Sequence, residues 1–248
     1  MPHPNRVQPD GSFVATAARG GFMGNRGRLH DAAGVICRRW QGKAWITCTL
    51  HEKPGRASPG VLPPRGYTRL FFQDEAVACA AGHRPCAECR RAAYREFRAA
   101  WARAFGSCPD AKAMDDILHT ARIDPASRQP RRSHAPAETL PAGVFILLDG
   151  APHRLTADAA LPHAPGGYGP ARPRPRGRVT VLTPAPLVAV MAAGWQPVLA
   201  PADDRPNWQA RHGSAHGACD LPPAGEEYTR QGDLHDVTPR LSGGHGQE

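Results

Sequence analysis

The sequence predicts an α+β fold, and three patterns support that class. Short runs of β-branched and aromatic residues, separated by glycine- and proline-rich turns, occupy residues 13–72. Segments with the apolar spacing of amphipathic helices follow, as far as residue 121. A second, smaller set of strand and helix signals covers 143–200. Beyond residue 200 the chain is polar and aperiodic, which predicts a disordered C-terminal tail.

These patterns divide the chain into four parts. Residues 13–121 are expected to form a small α+β module with C-terminal helices, and 143–200 a second small α+β segment. Residues 122–142 are basic and contain prolines, which predicts a linker between them. The predicted tail comprises 201–248.

Individual elements follow from local signals. We expect strands at 45–50 and 67–72, then a short helix that Asp74 caps and Gly82 ends. A longer helix is predicted from about residue 87 to 105, with Gly106 as its stop. In the second part, strand 144–148 should turn back at Asp149-Gly150, a dipeptide typical of hairpins. Strand 178–182 should lead into a helix that ends at Gly194.

Composition limits the possible functions. The 248 residues include no apolar run long enough to span a membrane and no signal-peptide pattern at the start, so we expect a cytoplasmic protein with reduced thiols. The net charge of +9 is compatible with a nucleic-acid partner. Only three of the 31 basic residues are lysines, however, and such arginine usage is equally expected from a GC-rich genome.

The most informative motif is a pair of cysteines. Cys86 and Cys89 have the spacing with which two thiolates on a turn hold one soft or borderline metal ion. Gly82 lets the preceding helix end, and Pro85 stiffens the approach to the first thiol. The pattern predicts half of a structural zinc site. A redox pair and two buried thiols are the alternatives.

Zinc in a structural site takes four ligands, so a second pair is required. Cys48 and His51 form a Cys-x-x-His pair upstream and are the predicted third and fourth ligands. Cys37 and His30 are rival candidates for the fourth position. A small buried hydrophobe is the alternative interpretation of Cys48.

Arginines surround the second cysteine pair. Those expected to contact nucleic acid are Arg84, Arg90, Arg91, Arg95 and Arg98. Three of them flank the apolar stripe of the longer helix, where they would meet phosphates. The alternative is a solvated rim whose aliphatic stems cover the edge of the core.

The segment 70–90, LFFQDEAVACAAGHRPCAECR, resembles the second half of the Ada-type zinc-binding domain of bacterial methylphosphotriester-repair proteins. The resemblance implies that Cys86 and Cys89 are Zn²⁺ ligands within a small α+β module. The family has a Cys-x3-Cys first pair, whereas this chain offers Cys48 with His51, or Cys37. In the family a thiolate of that first pair accepts a methyl group from a DNA phosphotriester, and Cys48 is the position to which this role carries over.

Three functions remain open at this stage. The first is a zinc-stabilised protein that binds nucleic acid through its arginines. The second is an enzyme, either a sacrificial methyl acceptor or a metal-dependent hydrolase. No paired carboxylates or nucleophile–base motif supports catalysis, so we expect a binding protein rather than an enzyme. The third is a structural or partner-binding protein in which zinc replaces part of the core.

Overall fold

The structure is a computed structural model that describes residues 2–50, 62–63 and 66–199. Within these residues the chain forms two β-sheets and four α-helices, so the predicted α+β class is confirmed. The predicted tail at 201–248 and the predicted ligand His51 lie outside them. No helix in the described part is long and apolar enough to cross a membrane.

The first sheet has six short strands: β1 (Arg6–Val7), β2 (Phe13–Val14), β3 (Phe22–Asn25), β4 (Ile46–Cys48), β5 (Leu70–Phe72) and β6 (Arg84–Pro85). Their order is β2-β1-β5-β3-β4-β6. Three of the five neighbouring pairs are antiparallel, whereas β1–β5 and β4–β6 run parallel. In the β4–β6 pair, Ile46 lies opposite Arg84 and Thr47 opposite Pro85. This parallel pair positions both sites described below.

The helices are α1 (Glu75–Ala80), α2 (Arg91–Phe105), α3 (Ala111–Arg122) and α4 (Ala185–Ala192). The predicted cap of α1 is present, because an Asp74 carboxylate oxygen accepts from the Val77 amide at 2.9 Å. Gly82 and Gly106 follow α1 and α2 with φ angles of 87° and 77°, which L-residues rarely adopt. Both predicted helix stops are therefore confirmed.

The second sheet has seven strands: β7 (Ser133–Pro136), β8 (Phe145–Leu148), β9 (Ala151–Leu155), β10 (Ala159–Ala164), β11 (Gly167–Tyr168), β12 (Arg172–Pro173) and β13 (Arg178–Val181). The order is β11-β10-β9-β8-β13-β7, with β12 also paired to β10. The hairpin between β8 and β9 is confirmed. Asp149 and Gly150 both have positive φ, 52° and 75°, as a type I′ turn requires.

The predicted linker differs from the structure. Residues 133–136 form β7 at the edge of the second sheet, and Ala137 and Leu140 are buried in its core. Proline in this segment suggested a linker. An edge strand tolerates Pro136, however, because a residue at the edge of a sheet need not donate an N–H to a strand on its outer side. The second part of the fold therefore begins about ten residues earlier than its sequence signals suggested.

Two hydrophobic clusters meet around α1. One joins helices α2, α3 and α4 to the second sheet, and the other surrounds α1 and the first sheet. Phe145 and Leu182 reach from the second sheet into the cluster around α1. The Tyr168 hydroxyl also donates to the Asp74 carboxylate at 2.7 Å. All six residues of α1 are consequently buried, and the first sheet is anchored against the second.

Candidate metal centre

Three cysteine sulfurs converge at one end of the parallel pair β4–β6. The Sγ atoms of Cys48, Cys86 and Cys89 all lie within 4.8 Å of one another. Cys48 and Cys86 are buried, and Cys89 is half-buried. Cys48 ends β4, and Cys86 follows β6 directly, so the two strands deliver their sulfurs side by side.

Backbone hydrogen bonds hold this geometry. The Cys86 amide donates to the Thr47 carbonyl at 2.9 Å, extending the parallel ladder to the first thiol. The Glu88 amide donates to Cys86 Sγ at 3.4 Å, and the Thr49 amide donates to Cys89 Sγ. Amides that point at sulfur stabilise the thiolate form, which is the form that binds metal.

The pKa values of the three thiols are shifted in different directions. A hydrogen bond donated by Cys48 lowers the pKa of Cys86 to about 5. The same hydrogen bond, followed by burial, raises the pKa of Cys48 far above its ordinary value. Burial also raises the pKa of Cys89. The lowered pKa favours the thiolate form of Cys86, and a bound divalent cation would favour ionisation of all three thiols.

The residues fit a zinc ion. Zinc–sulfur bonds of about 2.3 Å in a tetrahedral arrangement place neighbouring sulfurs roughly 3.8 Å apart. Separations within 4.8 Å can reach that value through small side-chain rotations. An all-sulfur donor set favours zinc and other thiophilic ions over magnesium or calcium. The arrangement can thus hold a metal through three protein ligands.

The rival fourth ligands do not join the cluster. His30 is buried, and its ring nitrogens contact the Thr68 hydroxyl at 2.6 Å and the Pro63 carbonyl at 2.8 Å, so neither is available. Cys37 is exposed, and its thiol donates to the Leu29 carbonyl at 3.4 Å. Neither residue belongs to the group of sulfurs.

Two of the predicted phosphate-binding arginines are instead structural. Arg84 makes a bidentate pair with Asp115, at 2.8 and 2.7 Å, and is only 4% exposed. Arg90 pairs with both carboxylate oxygens of Glu75 and is 8% exposed. The expectation that these two contact nucleic acid is corrected, because a buried guanidinium with a carboxylate partner cannot reach a phosphate.

The remaining three arginines are accessible. Arg91, Arg95 and Arg98 lie on the exposed face of α2, whose opposite face buries Tyr94 and Phe97. The Arg98 Nε donates to Cys108 Sγ at 3.2 Å without being buried. This helix begins two residues after Cys89, so the exposed guanidinium groups start beside the sulfur cluster.

Sequence reasoning missed a cluster at the other end of β4–β6. Trp45, just before β4, contacts the guanidinium groups of Arg26 and Arg122. His83, just before β6, accepts a hydrogen bond from Arg26 at 2.9 Å. The four residues come from four separate segments, so no local spacing indicated that they would meet.

Comparison with known proteins adds no relative: no protein-family model, no curated protein and no solved structure matches this chain.

Proposed function

We propose that this chain is a zinc-binding protein that holds Zn²⁺ through Cys48, Cys86 and Cys89 and binds nucleic acid through the adjacent face of α2. The observation that carries the metal part is the convergence of three sulfurs within 4.8 Å. Two of these sulfurs come from a Cys-x-x-Cys turn and the third from the neighbouring parallel strand. Free thiols that merely fill a core have no need to converge in this way.

His51 is the proposed fourth ligand. It follows Cys48 by three residues, and the Thr49 amide already contacts Cys89 Sγ, so the chain leaves β4 alongside the cluster. The resemblance of 70–90 to the Ada-type zinc-binding domain supports the same assignment for the downstream pair. Under this proposal the ion links β4 to the start of α2 and stabilises the first sheet.

Metal analysis of the purified, tag-free chain tests the first half. We expect one zinc ion per chain in the wild type and none in Cys86→Ser, because the site then loses one of its three sulfurs and the remaining ligands, Cys48, Cys89 and His51, hold zinc too weakly. Cys108→Ser is the matched control, since Cys108 lies outside the cluster and should leave the metal in place. A metal-free wild-type protein, purified without chelator, would contradict the proposal.

The nucleic-acid half is supported by the charge of +9 and by the exposed guanidinium groups on α2. Each phosphate neutralised contributes about −0.9 to the slope of log K against log salt on duplex DNA. Replacing Arg91, Arg95 and Arg98 by glutamine should therefore reduce the slope by roughly two to three. Fluorescence anisotropy with a labelled duplex, at several salt concentrations, measures it.

A control of equal charge separates this face from the net charge. Arg172, Arg176 and Arg178 are exposed on and beside the second sheet. Their triple replacement by glutamine also removes three charges but should leave the slope unchanged. If both triple variants reduce the slope equally, the α2 face is not the binding surface.

A sacrificial methyl acceptor is the alternative. Zinc keeps a thiolate anionic and nucleophilic, and Cys48 is the position that the resemblance indicates. Its sulfur is buried, with the residue 8% exposed, so transfer would require that part of the chain to open. Incubation with methylphosphotriester DNA and mass analysis of the Cys48 peptide would show one added methyl group if this alternative holds. Zinc binding with neither methyl transfer nor DNA binding would leave a purely structural role.

A further inference from the structure

The strongest unexplained feature is a pair of buried arginines around Trp45 that make no ion pair with any residue of the described part of the chain. The Cζ atoms of Arg26 and Arg122 each lie over the Trp45 ring, 4.0 Å from its centroid. All three residues are at most 3% exposed. Cation–π contacts of this kind offset only part of the cost of removing a guanidinium from water.

The hydrogen bonds of these arginines go to neutral groups. Arg26 donates to His83 Nε2 at 2.9 Å and to the Gly11 and Ala81 carbonyls at 3.3 and 3.4 Å. Because Nε2 accepts, His83 is neutral, and its Nδ1 is left to donate to the Ile46 carbonyl. Burial, and then the positive charge of Arg39, lower the pKa of Arg26 to about 9, against an opposing effect of Asp10.

Arg122 is in the same position. It donates to the carbonyls of Gly82, at 2.8 Å, and Lys43, while its buried Nε has no partner. Within the described residues neither Arg26 nor Arg122 makes an ion pair, in contrast to the buried Arg84 and Arg90. Two guanidinium groups are thus held in the interior with only the more distant carboxylates of Asp10 and Asp115 acting on them.

A narrow pocket opens beside these guanidinium groups. Its lining includes both buried arginines, Trp40 and Trp45, and also the less buried Arg39, Arg131 and Arg132. Asp10 is the one acidic side chain among the described residues that line it. The cavity is small, with a volume of about 20 Å³. It can admit the oxygens of a tetrahedral oxyanion but not a sugar or a base.

We propose that this pocket is a phosphate-binding site, lined by the buried Arg26 and Arg122 and by the less buried Arg39. Guanidinium groups are the preferred partners of phosphate oxygens, since they present several donors in a planar fork. The indole rings shield the site from water, so each contact is strengthened by the low local dielectric. The ligand supplies further negative charge, since Asp10 is the one carboxylate among the described lining residues and several guanidinium groups line the pocket. The site does not depend on a metal at Cys48, Cys86 and Cys89.

Thermal unfolding and calorimetric titration with inorganic phosphate test the proposal. At constant ionic strength, phosphate should raise the melting temperature of the full-length protein above its value in chloride, since a ligand that binds only the folded state stabilises it. Arg39→Gln should weaken phosphate binding about five- to tenfold, as expected for one charge-assisted contact. This residue is only half-buried, so the variant should fold.

Arg38→Gln is the matched control, because the adjacent Arg38 is exposed and does not line the pocket. It should leave phosphate affinity unchanged. Absence of any phosphate effect beyond that of chloride would overturn the proposal, as would equal weakening by Arg38→Gln and Arg39→Gln. Arg122→Met, if folded, should abolish the phosphate effect; a folded variant that keeps it would also overturn the site.

Three further probes distinguish the source of the phosphate. A nucleoside 5′-monophosphate that binds at least as tightly as inorganic phosphate would indicate a phosphomonoester ligand. A 5′-phosphorylated oligonucleotide that binds more tightly than its 5′-hydroxyl counterpart, with the difference lost in Arg39→Gln, would indicate a nucleic-acid end. Preference for inorganic phosphate over both would indicate the free anion. None of these results alters the zinc content, so the two proposals fail independently.

Discussion

The two ends of the parallel pair β4–β6 gather side chains of opposite chemistry. At the end where the strands finish, three cysteine sulfurs lie within 4.8 Å of one another. At the end where they begin, two guanidinium groups lie over Trp45 with no carboxylate ion pair among the described residues. About three residues, or roughly 10 Å, separate the ends along β4. Each end is suited to an ion of the other sign.

The difference between the ends lies in how they are assembled. The sulfur end uses a local motif, so two of its three groups, Cys86 and Cys89, are only three residues apart. The arginine end gathers side chains from the segments before β4 and β6, from the end of β3 and from the end of α3. A local motif can be recognised in a sequence, whereas an assembled site requires the fold.

Metal removal at the sulfur end should have the largest effect. In the wild type, a chelator should lower the free energy of unfolding by several kcal/mol, because binding energy and folding energy are the same quantity at a structural zinc site. Cys48→Ser should show the low value from the outset and no further response to chelator. Urea unfolding with and without chelator measures both. An unchanged midpoint in the wild type would mean that the first sheet does not depend on a metal.

The contrast between a local motif and a site assembled by the fold also explains what could be predicted from the sequence. Asp74, Gly82 and Gly106 act through their immediate neighbours, and each was identified correctly as a helix cap or stop. Cys86 and Cys89 were singled out for the same reason. The burial of Arg84 was missed because its partner, Asp115, lies 31 residues away. The identity of an arginine in the sequence does not indicate whether its side chain faces solvent or a buried carboxylate.

The next effect concerns a buried arginine that does have a partner. Glu75→Gln should destabilise the protein by about 3–5 kcal/mol, because it leaves the guanidinium of Arg90 buried without a counter-charge. The Glu75 carboxylate also accepts from the Val198 amide at 2.9 Å. This measurement calibrates what an unpaired buried guanidinium costs, and hence what an anion could relieve at Arg26 and Arg122.

Glu96→Gln is the control for Glu75→Gln, since Glu96 is exposed on α2. Its unfolding free energy should stay close to that of the wild type. Equal, small losses in the two variants would show that burial without a counter-charge is inexpensive in this protein, which would weaken the argument for a bound anion.

A smaller effect should follow from Gly82→Ala, which perturbs the arginine end without altering a charge. An added Cβ would lie 2.7 Å from Arg122 Cδ, and the φ of 87° is itself unfavourable for alanine. Gly106→Ala has a similar φ of 77° but nothing within 4 Å of the added atom. The backbone conformation should cost each variant about 1–2 kcal/mol. Any loss of unfolding free energy in Gly82→Ala beyond that in Gly106→Ala measures how tightly Arg122 is held. Phosphate affinity should fall only in Gly82→Ala.

The smallest effect is a pH dependence at the arginine end. His119 contacts the rings of Trp40 and Trp45, and its pKa is lowered to about 4, first by burial and then by Arg122 and Lys43, against an opposing effect of Asp116. A folded-state pKa below the ordinary 6.5 favours the neutral ring, so this contribution to stability is complete above pH 6.5 and is lost as pH falls toward 4.

His119→Phe keeps a ring against the two tryptophans and removes the titration. Between pH 6.5 and 4 its unfolding free energy should fall less steeply than that of the wild type. The difference between the two slopes should be well below about 1.4 kcal/mol per pH unit, the value for one fully linked proton. The reason is that His119 is partly exposed and solvent screens its charged neighbours. His134→Phe, at an exposed position on β7, should leave the slope unchanged.

Saturating phosphate should reduce the wild-type slope, since an anion beside Arg122 offsets the positive charges that oppose protonation of His119. A wild-type slope that phosphate leaves unaltered would separate His119 from the pocket and confine the anion's influence to the guanidinium groups over Trp45.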